Sequence, residues 1–362
     1  MTPDSKDDLR RVVDVIGPSM HHPVPVYIIS FMTKERLHYI DVAKGLLILM
    51  VVWGHYELMC RLCYGIKDPI IDRLDSVEML WVSFFMPAFF FISGLCSNFR
   101  KPFIPFFTAG LKTLLIPAIV INYGTSLIEY LSWGESPVWI IKTIGKSFLL
   151  KCAGEWFIPS MFISRLVVWG LVRLGRTDVR ILISLLLLIV GVWMYDYSCL
   201  PEIWAYKHAL MVVIFMLVGN IVKIDNITVP KILNWIYWPL LLVVIFSGCC
   251  VPYITNRVCV TMWQIPIVFI LAVTGTFMIL AASRRIGACS MLEFLGRNSL
   301  VIYLAHFIFY RAYLSLVAGW FNGSVLMSVV LFLGLISVNI ISCCILAYVL
   351  NMRYMRWILG KF

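Results

Sequence analysis

From Tyr39 onward the chain alternates runs of about twenty apolar residues with short polar connections, and about twenty residues is what an α-helix needs to cross a hydrocarbon core. The pattern predicts ten such helices, at 39–60, 79–97, 105–131, 155–174, 180–197, 205–223, 233–252, 260–282, 298–318 and 324–350. The fifth is short, and Pro266 interrupts the eighth. One connection differs from the rest. Within 132–154, "VWIIKTIGKSFLLK" repeats apolar residues at helical spacing with lysines on the other face, which predicts a helix lying along the membrane interface. Residues 1–35 read as a disordered tail. They open polar and acidic ("MTPDSKDDLRR"), unlike a cleaved leader, and "VPVYIISFM" is too short to span. Met32 is a plausible alternative start. The expectation is an all-α, multi-pass protein with one transmembrane domain over 36–352 and a short basic tail over 353–362.

Composition agrees. Hydrophobic residues make up 61% and charged residues 14%, against about 45–50% and about 25% in a soluble domain. The net charge of +11 is spread over short loops with no basic block, so no nucleic-acid partner is expected. The eleven cysteines lie mostly in apolar runs without a CxxC pair, which supports neither a disulfide framework nor a metal site. Lysine and arginine set the orientation. Lys34, Arg100, Lys101, Arg173, Arg176, Arg284, Arg285 and Arg353 collect on one side of the ten-helix map, and Asp68, Asp72 and Asp75 offset the positives on the other. Both termini are therefore expected in the cytoplasm, with the protein in the plasma (inner) membrane.

The first helix carries charges that an apolar run should exclude. "YIDVAKGLLILMVVWGHYELMC" holds Asp41, Lys44 and His55, and a charge at mid-bilayer costs about 2.5–3.5 kcal/mol even on lenient scales. At about 100° per residue, Lys44 and His55 fall within about 20° of one face and Asp41 within about 40°. Lys44 and His55 stand about 16 Å apart along the axis. Asp41 and Lys44, three residues apart, can pair and lower each other's burial cost. Glu57 falls on another face and reads as a solvated end residue.

At this point the sequence resembles a family. "RLHYIDVAKGLLILMVVWGH" is similar to the opening signature of membrane acyltransferase family 3, in particular the sugar O-acetyltransferases of the fucose 4-O-acetylase-like branch. Arg36, Asp41, Lys44 and His55 stand at the matching positions. Lys44 replaces the arginine common elsewhere in the family, which removes a two-pronged phosphate fork and leaves a point charge. "FFMPAFFFISGL", "LKTLLIP", "GEWFIPSMF" and "LEFLGRNSLVIYLAHF" resemble later motifs in family order. The usual basic pair of the third helix is reduced to Lys112.

The resemblance implies an O-acyltransferase with acetyl-CoA as cytoplasmic donor and a hydroxyl of a glycan, lipid-linked sugar or other molecule as acceptor. The residues fit that scheme. Coenzyme A carries phosphates, and Asp41, Lys44, Arg100, Lys101, Lys112 and Arg297 place a mainly cationic set at the inner mouth. A donor held there would present its thioester near His55, the expected general base. Glu155, at a comparable depth, is the candidate to orient it. Arg36, Trp156, Asn298, Ser299, Tyr303 and His306 are expected to line the path, with Asn298 also capping the ninth helix. His208 and His38 show no spacing that suggests chemistry. A polar stripe in a membrane helix also suits a transporter or flippase of a glycan lipid or small acid, or a sensor that binds a lipid headgroup.

Overall fold

The computed structural model describes residues 38–66, 69–132, 134–152, 156–225, 233–247, 265–321 and 323–360. Among them every regular element is helical. In order these are α1 (His38–Tyr64), α2 (Pro69–Val82), α3 (Phe85–Cys96), α4 (Phe103–Gly110), a π turn (Leu111–Leu115), α5 (Ile116–Ser132), α6 (Pro137–Lys151) and α7 (Phe157–Leu171). There follow α8 (Thr177–Tyr197), α9 (Tyr206–Asp225), α10 (Leu233–Ser247), α11 (Ile265–Ile286), α12 (Ser290–Arg297), α13 (Ser299–Val317) and α14 (Val325–Leu350). The end of the bundle that carries His38 is called the near end below, and the end that carries Tyr64 the far end.

Over their described residues the ten predicted segments are largely helical, and seven helical stretches are long and apolar enough to cross a membrane. The other three are shorter. Leu80–Cys96 is broken at Ser83–Phe84, Phe157–Leu171 has 15 residues, and α10 has 15 up to Ser247, beyond which residues 248–264 lie outside the described residues. Pro266 is the second residue of α11, and the residues before Ile265, where an interruption would show, lie outside the described residues. The amphipathic segment is α6, whose Ser136 accepts a hydrogen bond from the Trp139 amide at the N-cap and whose Pro137 opens the first turn.

Two helices form the interior. α1 packs against α2, α3, α11, α12, α13 and α14, and α9 against α3, α7 and α8. Residues Met211 to Leu217 of α9 are buried without a break, so that stretch presents no polar face. α1 keeps its charges in order with its dipole, Asp41 in the first turn and Arg61 in the last. Backbones touch where glycine permits it. A Cβ on Gly296 of α12 would overlap the carbonyl oxygen of Asp41, and one on Gly45 would overlap that of Leu292. α12 is thereby seated on the first turns of α1, beside Lys44.

Candidate functional site

The Asp41–Lys44 pair is formed, with Nζ 2.9 Å from Oδ1. Asp41 is buried, whereas Lys44 is about a quarter exposed because it faces a cavity of about 190 Å³. Ile48 of α1, Ser93 and Cys96 of α3, Phe157 of α7, and Ser299 and Tyr303 of α13 are among the residues of its wall. This near cavity is apolar over nearly all its length, with one cation at its mouth.

A second cavity, of about 240 Å³, lies farther along α13. Its wall is mixed: Asn122, Thr125 and Ser126 of α5, Lys151 of α6 and Arg311 of α13 alternate with Leu304 and Ile308 of α13. Tyr303 lines both cavities. Met59 of α1 and Phe307 of α13 also face the far cavity. The sequence stripe on α1 thus runs from Lys44 and Ile48 on one cavity to Met59 on the other.

His55 stands one turn below Met59, its ring centroid 4.6 Å from Phe307 and 4.8 Å from His306. Its Nδ1 lies 2.8 Å from the Val51 carbonyl oxygen. A carbonyl only accepts, so Nδ1 carries the proton and Nε2 keeps a lone pair. His306 repeats the arrangement on α13, with Nδ1 3.1 Å from the Ile302 carbonyl. Its Nε2 is fully buried and has no hydrogen-bond partner among the described residues. Two imidazoles, each fixed in tautomer by its own helix, therefore meet beside Tyr303 with both Nε2 lone pairs unprotonated. Buried polar atoms ordinarily have a protein, water or ligand partner, and no protein partner among the described residues meets the His306 Nε2.

The remaining sequence candidates scatter. Arg36 and Glu155 lie outside the described residues. Arg297 is engaged by Glu293, Nη2 to Oε2 at 3.0 Å, and His38 meets the same carboxylate at 3.0 Å. Arg100 and Lys101 sit on the connection from α3 to α4, exposed and outside the cavity wall. The Lys101 carbonyl accepts from Trp169 and Arg173. Lys112 is on the π turn, where the Gly360 backbone reaches its carbonyl. Of the six proposed donor contacts, Lys44 faces the cavity, with Asp41 paired to it. Asn298 makes no cap. Its amide turns back to the Phe294 carbonyl at 2.9 Å and its oxygen accepts from Asn351, which ties α12 to the end of α14. Trp156 stacks on His208 at 4.8 Å, away from both cavities. Glu57 pairs with Arg61 at 2.8 Å.

Several groups escape the sequence reading. Arg165 stands within α7, its guanidinium 5.1 Å from the Phe106 ring and its Nε unpartnered among the described residues. Arg165 and Arg311 are cations inside apolar runs, the same signal that marks Lys44. Lys223 donates to the Ser97 carbonyl at 3.0 Å, next to Cys96 at the near mouth. His208 meets Glu202 at 2.5 Å, a pairing six residues apart across a helix start that no periodicity announces. Burial pushes the Glu202 carboxyl up, but the His208 contact outweighs it and leaves the group below its ordinary value.

No curated protein and no solved structure matches the chain. The family model described as an acyltransferase domain matches residues 37–348, from the first turn of α1 almost to the end of α14. That match takes in both cavities, the paired histidines and every described span, and it establishes this multi-pass membrane protein as a member of acyltransferase family 3.

Proposed function

We propose that the chain moves an acetyl group from acetyl-CoA, entering at the near end from the cytoplasm, to a hydroxyl of a glycan or lipid-linked sugar admitted at the far end. One observation supports this reading: Tyr303 lines both an apolar cavity that Lys44 also lines and a second cavity whose wall residue Phe307 packs against the two histidines. The pantetheine arm of the donor is slim and extended, and Lys44 offers its phosphates a cation. The thioester would then stop near Tyr303. In the transfer, the acceptor oxygen attacks the thioester carbon while its proton passes to Nε2 of His55. The carbon–sulfur bond breaks, and the coenzyme A thiolate takes the proton back from the imidazolium. The Val51 carbonyl, holding Nδ1–H, would keep the basic nitrogen facing the acceptor and stabilise the charged ring.

Purified protein in nanodiscs, given acetyl-labelled coenzyme A and extracted cell-surface saccharides, should transfer label to hydroxyls. His55→Ala should lower turnover by about 10²–10⁴-fold, the range for a positioned general base. Donor binding should persist, read as protection of Cys96 from maleimide in a variant keeping that cysteine alone. Near-normal transfer by His55→Ala would end the mechanism, and absence of Cys96 protection in the parent would remove the near cavity as donor site.

A further inference from the structure

We infer that Arg165 is the anion clamp of the near mouth, gripping a diphosphate with the two-pronged fork that Lys44 lacks. Naming that diphosphate as the one in coenzyme A rests on the acyl-transfer reading above; the anion site itself does not.

A cation within an apolar helix is kept for a partner or for a function. Arg165 is the ninth of the fifteen residues of α7, between Ser164 and Leu166. Its Nε is closed off from solvent and meets no hydrogen-bond partner among the described residues. Its guanidinium lies 5.1 Å from the centre of the Phe106 ring, and among the described residues it has that contact and no ion pair. A ring face attracts the charge but offers no lone pair to the N–H donors. Three other cations of the near end are engaged. Lys44 has Asp41 at 2.9 Å, Lys223 the Ser97 carbonyl at 3.0 Å, and Arg173 the Phe99 and Lys101 carbonyls at 3.2 and 3.0 Å.

Position ties Arg165 to the near cavity. Phe157 and Met161 of α7 line it, and Arg165 follows Met161 by four residues, on the same face and about 6 Å farther along the axis. That step leads toward the near end, since Trp169 of α7 and Arg173 just past it both donate to the Lys101 carbonyl on the connection after α3. The side chain is neither buried nor fully exposed, which leaves a ligand access to it.

The lengths agree. The Phe157 ring packs 4.9 Å from that of Tyr303, and eight residues put Arg165 about 12 Å down the axis from Phe157. About thirteen bonds join phosphorus to sulfur in pantetheine, an extended reach of about 15 Å at ~3.5 Å per three bonds. A diphosphate on Arg165 therefore delivers the thioester to Tyr303. A guanidinium meets two phosphate oxygens at once, where an ammonium is a single point of charge. Lys44, already paired with Asp41, adds attraction across the mouth.

The test titrates the full chain in phospholipid-free maltoside micelles with three probes: acetyl-CoA, acetyl-pantetheine (the thioester arm without phosphate) and inorganic pyrophosphate. Arg165→Gln should weaken acetyl-CoA and pyrophosphate about tenfold or more, the scale of one charge-assisted hydrogen bond. Arg165→Lys, which keeps the charge, should fall between the parent and Arg165→Gln. Acetyl-pantetheine should bind the parent and both variants alike, which a merely structural role would not allow. Unchanged affinity for acetyl-CoA and pyrophosphate in Arg165→Gln, or equal loss of all three probes, overturns the inference. So does pyrophosphate binding that vanishes in phosphatidylglycerol nanodiscs, because the fork then belongs to a lipid headgroup. Arg165-dependent pyrophosphate binding by a parent that ignores acetyl-CoA supports the anion site and sinks the donor reading instead.

Discussion

Replacing His306 by leucine isolates what the buried second imidazole is for. Leucine is close in volume, so no large cavity opens. The unsatisfied Nε2 disappears, which relieves about 1–3 kcal/mol of desolvation penalty. Against that, the Nδ1 bond to the Ile302 carbonyl is lost, at about 0.5–1.5 kcal/mol, and that carbonyl can keep its helical partner. The ring contacts to His55 at 4.8 Å and Phe307 at 4.3 Å are replaced by aliphatic packing, at about 0.5–1.5 kcal/mol each if both are near optimal. The sum is within about 1 kcal/mol of zero, small beside the 2–5 kcal/mol lost when a buried core residue is truncated. Unfolding of the purified protein in mixed micelles should therefore show almost unchanged stability. Acetyl transfer should fall at least tenfold while donor binding holds. A loss of about 3 kcal/mol or more would mean that Nε2 has a partner which the leucine strands, and the account of an imidazole held for chemistry would fail. Unchanged transfer would reduce His306 to packing.

Other outcomes follow from the same geometry. Gly296→Ala should destabilise by about 1–3 kcal/mol, because the added methyl meets the Asp41 carbonyl rather than a yielding side chain, and donor binding should weaken with it; unchanged melting would show the contact to be looser than described. Lys44→Ala should weaken acetyl-CoA binding, read by titration, while Lys44→Arg should keep much of it, since either cation can meet a phosphate. Glu202 has a depressed carboxyl pKa, so it binds fewer protons folded than unfolded, and its contribution is present above the unfolded value of about 4.3. The stability advantage of the parent over Glu202→Gln should appear near neutral pH and vanish as pH falls through the folded value. Reporter fusions at residues 178 and 286 should read cytoplasmic and one at residue 70 external; an external reporter at 178 would invert the proposed donor side.

The helices were legible because length and apolarity report directly on a lipid environment, and the α1 stripe because three residues on one helix need only a helical period. Asp41 and Lys44 pair as their spacing allowed, while His55 lines neither cavity and packs against His306 and Phe307. Contacts between distant helices were not legible. Nothing in "LEFLGRNSL" announces that the Asn298 oxygen accepts from Asn351 at the end of α14, whereas the Glu293–Arg297 pair, at i and i+4 within one helix, is a spacing the sequence does show. The far cavity was hidden for the same reason, since its polar residues sit singly on α5, α6 and α13 and converge only through packing. Arg165 and Arg311 carried a local signal, a cation in an apolar run, that had the same physical weight as the one at Lys44.

The seating of α12 on the first turns of α1 has a consequence for biogenesis. A ribosome delivers α1 first and α12 near the end of synthesis, yet Gly45 and Gly296 must meet before the surroundings of Lys44 are complete. His306 and Tyr303 arrive later still, on α13. A nascent or truncated chain would carry the aspartate, the lysine and the first histidine into the bilayer without the wall that turns them into a passage. On the proposed reaction such a chain would have no complete donor pocket, so activity would begin only once α12 and α13, from about the last fifth of the sequence, have docked.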